Sequence, residues 1–132
     1  MDLVIDANVF FAILIKEGVN YQILFREDLH LFAPEFLFTE FEEHKEEVLE
    51  KTKRTREEFF KLVEIIKSRI ILIPLEELIE YVPKAEKISP DPDDMAYFAA
   101  ALKMHCWIWS NDKKMKNQKK VEIISTSELL RM

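Results

Sequence analysis

Five short apolar runs, at residues 3–5, 29–33, 69–74, 106–109 and 121–124, are separated by longer amphipathic stretches. No other feature restricts the fold as much. Strand-length apolar runs joined by helix-length segments predict an α/β fold, a central and mostly parallel β-sheet of about five strands flanked by helices. In such an open sheet, ligands bind beyond the carboxyl ends of the strands.

Helices are expected over 10–16, 20–26, 35–50 and 75–81, with others opening at Thr55, Pro92 and Ser125. Thr55 with Glu58, and Ser125 with Glu128, form capping boxes, in which a hydroxyl and an acid each satisfy one amide of the first turn. Phe59, Leu62, Val63 and Ile66 then follow at helical spacing. Asp91 before Pro92 is a good helix start, with Asp93 and Asp94 in the first turn. The stretch 95–102 is apolar all round and should be deeply packed. The single glycine, Gly18, is placed near the end of the first helix. Positions needing a positive φ must therefore be few, or filled by Asn and Asp.

The 132 residues fit a single domain spanning 1–132, and 48% hydrophobic against 33% charged residues suits a globular core. The lone cysteine, Cys106, excludes an internal disulfide and every multi-cysteine zinc site. The longest early apolar stretch, 9–15, is far short of the roughly 18 residues that suggest a membrane span. With no basic leader, the protein is expected to be cytoplasmic, with no membrane association. The formal net charge of −6 argues against generic coating of nucleic acid. It does not argue against a nuclease, because a site that collects cations must itself be acidic.

Four acids fall at matching positions of this topology. Asp6 ends the first run, Glu40 lies in the first turns of the helix after the second, Asp94 opens the helix leading into the fourth, and Asp112 follows the fourth. All four belong on one rim of the sheet. Each also has a plain structural reading: Asp6 and Asp112 as caps, Glu40 as a solvated helix acid, and the trio Asp91, Asp93 and Asp94 as complements to a helix dipole. Together they are more specific. Clustered carboxylates repel and would take up protons, and a divalent cation removes the conflict. Such an ion can orient and acidify a water and stabilise a phosphodiester under in-line attack.

The residues carry a resemblance. Asp6-Ala7-Asn8 after an apolar strand resembles the opening motif of the PIN-domain family. Thr39-Glu40 resembles its second acid. Asp94 followed by Ala99-Ala100-Ala101-Leu102, then Ser110-Asn111-Asp112, resembles its third and fourth motifs, and the likeness covers essentially the whole chain. It implies a three-layer sandwich, dependence on Mg²⁺ or Mn²⁺, and RNA cleavage, with free-standing relatives often VapC-type toxins that are dimeric and held by an antitoxin protein. It makes Asp6, Glu40, Asp94 and Asp112 the metal ligands. Asn8 and Ser110 would orient ligands or water, with Asp93 the substitute for Asp94. A housekeeping RNA-processing nuclease and a non-catalytic binding module on the same fold are the alternatives.

Lys113, Lys114 and Lys116, directly after Asp112, could grip substrate phosphate or form a solvated loop. Lys51, Lys53, Arg54 and Arg56 read as an ordinary solvated turn. Trp107 and Trp109 are expected in the core, Cys106 is expected as a buried small hydrophobe, and the three histidines have no zinc-like spacing.

Overall fold

The computed structural model of the protein describes residues 1–132. Its centre is one sheet of five strands, β1 Asp2–Ile5, β2 His30–Pro34, β3 Ile70–Ile73, β4 Trp107–Trp109 and β5 Ile123–Ile124. The order is β3-β2-β1-β4-β5 and every pairing is parallel. Strand order therefore reverses between β1 and β4. The rim above these two strands is the switch point, where an open sheet leaves a crevice.

Around the sheet lie α1 Ala7–Ile15, α2 Val19–Leu24, α3 Phe36–Lys51, α4 Arg56–Lys67, α5 Leu75–Leu78, α6 Val82–Ile88, α7 Met95–Met104 and α8 Thr126–Leu130. A continuous cluster of 36 buried hydrophobic residues fills the interior. No helix is long and apolar enough to cross a membrane. Both capping boxes form, at Thr55 with Glu58 and at Ser125 with Glu128.

Several local features differ from the sequence reading. The first helix starts at Ala7, directly after Asp6, so the acid stands at the strand-to-helix junction with no intervening loop. Gly18 does not end that helix; it precedes α2 with an extended backbone that any residue can adopt. The one positive φ in the chain belongs to His105, at 51°, which closes α7 where Asn or Asp was expected. α6 lies outside the expected helices and contains Pro83. This proline sits in the first turn, where its missing N–H has no partner to lose.

Trp109 is fully buried as expected, but Trp107 is 41% exposed. The reason is register. β5 pairs Ile123 with Ile108, so no β5 residue lies opposite Trp107.

Candidate functional site

Among the buried residues only two are polar or charged, Asp6 and Ser110. They meet each other. The register pairs Ile5 with Trp109, and the Asp6 amide bonds the Trp109 carbonyl, so the next residues stand side by side at the strand ends. Ser110 Oγ donates to Asp6 Oδ2 at 2.7 Å. A hydrogen bond to a charged group contributes about 1.5–3 kcal/mol, whereas burying a carboxylate costs several kcal/mol. Burial wins. The Asp6 carboxyl is pushed above its ordinary range by desolvation; Ser110 and the nearby amides of Ala7 and Asn8 offset it in part, and the charge of Asp112 adds to it.

Ser110 serves two acids at once. Its Oγ accepts the Asp112 amide at 3.0 Å, and Asp112 Oδ1 accepts the Lys114 amide at 3.0 Å, capping a short 3-10 turn at Lys113–Lys116. Asn111 ties the same loop to the start of α8, exchanging bonds of 2.9 and 2.8 Å with the Thr126 hydroxyl and amide. Asp112 is thus held by the Ser110 hydroxyl on one side and the Lys114 amide on the other.

Glu40 comes in from α3, half-buried. Its Oε1 accepts the Tyr97 hydroxyl at 2.6 Å. Desolvation raises the Glu40 carboxyl, and Asp6 and Asp93 add repulsion, while Tyr97 and His44 pull the other way. Tyr97 is buried, and its own proton is held very tightly for the same reasons. The sequence reading missed this residue. Its signal was a hydroxyl inside an otherwise apolar helix, since a buried tyrosine needs a polar partner.

Asp94 occupies the middle of the group. Burial first, then the charges of Asp6, Asp91, Asp112 and Glu40, push its carboxyl up to about 7. Asp91 plays the cap foreseen for it, accepting the Asp93 amide at 2.9 Å. Asp93 is exposed, facing Glu40 only through its charge. Asn8 is exposed and bonds to none of the acids, sharing a groove with Glu40. Lys113 and Lys114 are exposed beside Asp112, whereas Lys116 turns to Glu128 at 3.0 Å.

The sequence leads one to expect four carboxylates converging on one or two divalent ions. In the structure they act on each other electrostatically, yet no three acidic, His or Cys side chains are close enough to grip an ion directly. None of the four is neutralised by an ion pair with a cationic side chain. The donor set is all hard oxygen. Open spacing of such donors fits Mg²⁺ or Mn²⁺, since Mg²⁺ keeps several waters and needs only one or two direct carboxylates.

A family model described as PIN domain matches residues 4–128, which includes every acid of this rim. A comparison with curated proteins gives no match.

Proposed function

The chain belongs to the PIN-domain family, and from that premise we propose that it is a divalent-metal-dependent endoribonuclease hydrolysing RNA phosphodiester bonds. PIN domains are generally nucleases that act on nucleic acid, typically with divalent metals. One observation carries the finer reading. Burial and the charges of Asp6, Asp91, Asp112 and Glu40, brought together from separate stretches of the chain, raise Asp94, and no cationic side chain forms an ion pair with any of these acids. A fold keeps such an arrangement at a cost in stability, which binding a cation would repay.

In this reading Asp6, Glu40, Asp94 and Asp112 would hold the ion, one or two directly and the others through its retained waters, while Ser110 fixes Asp6 and Tyr97 fixes Glu40. When bound, Mg²⁺ or Mn²⁺ supplies positive charge beside the scissile phosphate and acidifies a water. Lys113 and Lys114, exposed at the same rim, would attract the phosphates flanking the cleaved bond. A toxin role, an antitoxin partner and a homodimer are proposed on the resemblance alone.

The reading is tested with parallel assays on single-stranded RNA, single-stranded DNA and a small phosphomonoester. RNA cleavage with Mn²⁺ that stops with EDTA and in Asp6→Asn is the expected result. Cleavage that survives both treatments would exclude it, and turnover of the phosphomonoester alone would make the protein a phosphatase.

Tyr97 gives a finer check. Tyr97→Phe keeps the ring and deletes the donor to Glu40. Loss of a hydrogen bond that orients a ligand typically costs about 10–100-fold in metal affinity or activity. The Mn²⁺ concentration for half-maximal cleavage is expected to rise by about tenfold or more, with the folded state retained. An unchanged Mn²⁺ requirement would remove Glu40 from the ligand set.

A further inference from the structure

A groove of about 300 Å³ runs from the acidic rim between α1 and α3. Its walls are helical stripes: Asn8, Phe11 and Ile15 from α1 face Glu40, His44, Glu47, Val48 and Lys51 from α3, with the Glu47 carboxylate 3.5 Å from His44 Nδ1. From Glu40 to Lys51 the groove is roughly 16 Å long, at about 1.5 Å rise per residue. Midway, the His44 ring stands edge-on to Phe11, centroids 6.1 Å apart.

The far end is cationic. Lys51 and Lys53 stand beside Lys16, which the sequence separates from them by a whole sheet crossover. Arg54 brings them together. Its guanidinium donates to the Leu14 carbonyl at 2.6 Å and pairs with Glu17 at 3.3 Å, clamping the α3–α4 turn onto the end of α1. That pairing occupies Glu17, and the capping box occupies Glu58. Lys16 and Lys53 are left without a carboxylate partner. Lys51 has only Glu47 at 3.5 Å, an exposed contact that a phosphate can displace at little cost.

We infer that this groove is the track along which a single strand of RNA leaves the acidic rim, with bases against Phe11 and His44 and phosphates on Lys16, Lys51 and Lys53. The inference rests on the ribonuclease reading for what happens at its acidic end. Aromatic faces and cations spaced along one groove are the pattern of single-strand binding, since every unpaired base offers a face to stack on. A duplex keeps its bases inside and has none to offer. The turn that looked like ordinary solvated chain in the sequence becomes a phosphate clamp once Arg54 ties it to α1.

The test measures binding of a fluorescein-labelled single-stranded RNA by anisotropy in EDTA across a salt series, and cleavage kinetics with Mn²⁺. In Lys16→Gln/Lys53→Gln, the slope of log affinity against log salt is expected to fall by about 1.4, two contacts at about 0.7 each for a single strand. KM rises while kcat holds. His44→Ala weakens binding roughly tenfold and leaves the salt slope unchanged. Unaltered slope and KM in the double variant, or equal binding of a duplex of the same sequence, would overturn the track. If the wild-type binds as described but cleaves nothing, the ribonuclease reading fails and the track stands.

Discussion

With Asn in place of Asp94, Mn²⁺-dependent RNA cleavage is expected to drop by about a thousand-fold, while the metal-free protein gains thermal stability at pH 8. The two effects share one cause. Asp94 carries the repulsion of Asp6, Asp91, Asp112 and Glu40 on top of its own burial, which moves its carboxyl to about 7. Its folded pKa thus lies above its unfolded value, so the ionised form is the disfavoured one in the fold. Stability is unaffected below the unfolded value of 3.8 and is lost as pH rises through about 7. Asparagine has the shape of the protonated acid and cannot ionise, so the variant escapes that loss. Water at the half-open rim screens much of the charge, which limits the gain to a few degrees of melting temperature. Activity has no such compensation in the proposed reading, where removing one anionic ligand would withdraw several kcal/mol of charge stabilisation from the transition state. Single-turnover cleavage rates and metal-free melting curves at pH 4 and pH 8 check both halves. A variant that cleaves within tenfold of wild-type, or that melts lower at pH 8 and equally at pH 4, would show that Asp94 is a structural cap.

The topology was legible because parallel strands leave long apolar runs and their crossovers leave helical ones. Asp6 was legible for a related reason: a carboxylate at the end of residues 3–5 and the start of an apolar helix has few uses unless it is paired or bound. Its bond to Ser110 follows from strand register, which the sequence signals only through the position of each residue after its run. Glu40 is different. Its neighbours are mixed, and the residue that holds it lies 57 positions away on α7. No local pattern encodes that meeting. The same limit hid the cationic end of the α1–α3 groove, which depends on Arg54 reaching a carbonyl 40 residues earlier. Trp107 was misjudged because its exposure depends on where a neighbouring strand begins, and β5 is only two residues long.

Mn²⁺ is expected to raise the melting temperature strongly at pH 8 and scarcely at pH 5. At a concentration about a hundred times the dissociation constant, an ion that binds only the folded state adds about 2.7 kcal/mol. The ion and a proton compete for the same oxygens. With its carboxyl at about 7, Asp94 at pH 8 is mostly ionised and offers the ion little competition from protons. At pH 5 the proton must be displaced, which weakens apparent affinity about 100-fold, and the same Mn²⁺ then adds only about 0.4 kcal/mol. Asp6 and Glu40 are raised too, so competition at those positions steepens the trend. Metal-free protein runs the opposite way, losing stability as pH rises through neutrality. The two melting curves are therefore expected to separate as pH increases. Mn²⁺ attached to scattered surface carboxylates would lack this divergence, since ordinary carboxylates are already ionised at pH 5. A shift of equal size at both pH values would assign the ion to such sites, and no shift at all would favour a non-catalytic binding module. Asp6→Asn supplies the control: if Asp6 holds the ion as proposed, the variant's melting temperature should respond weakly to Mn²⁺ at either pH, because solvent cannot replace the buried carboxylate beside Ser110.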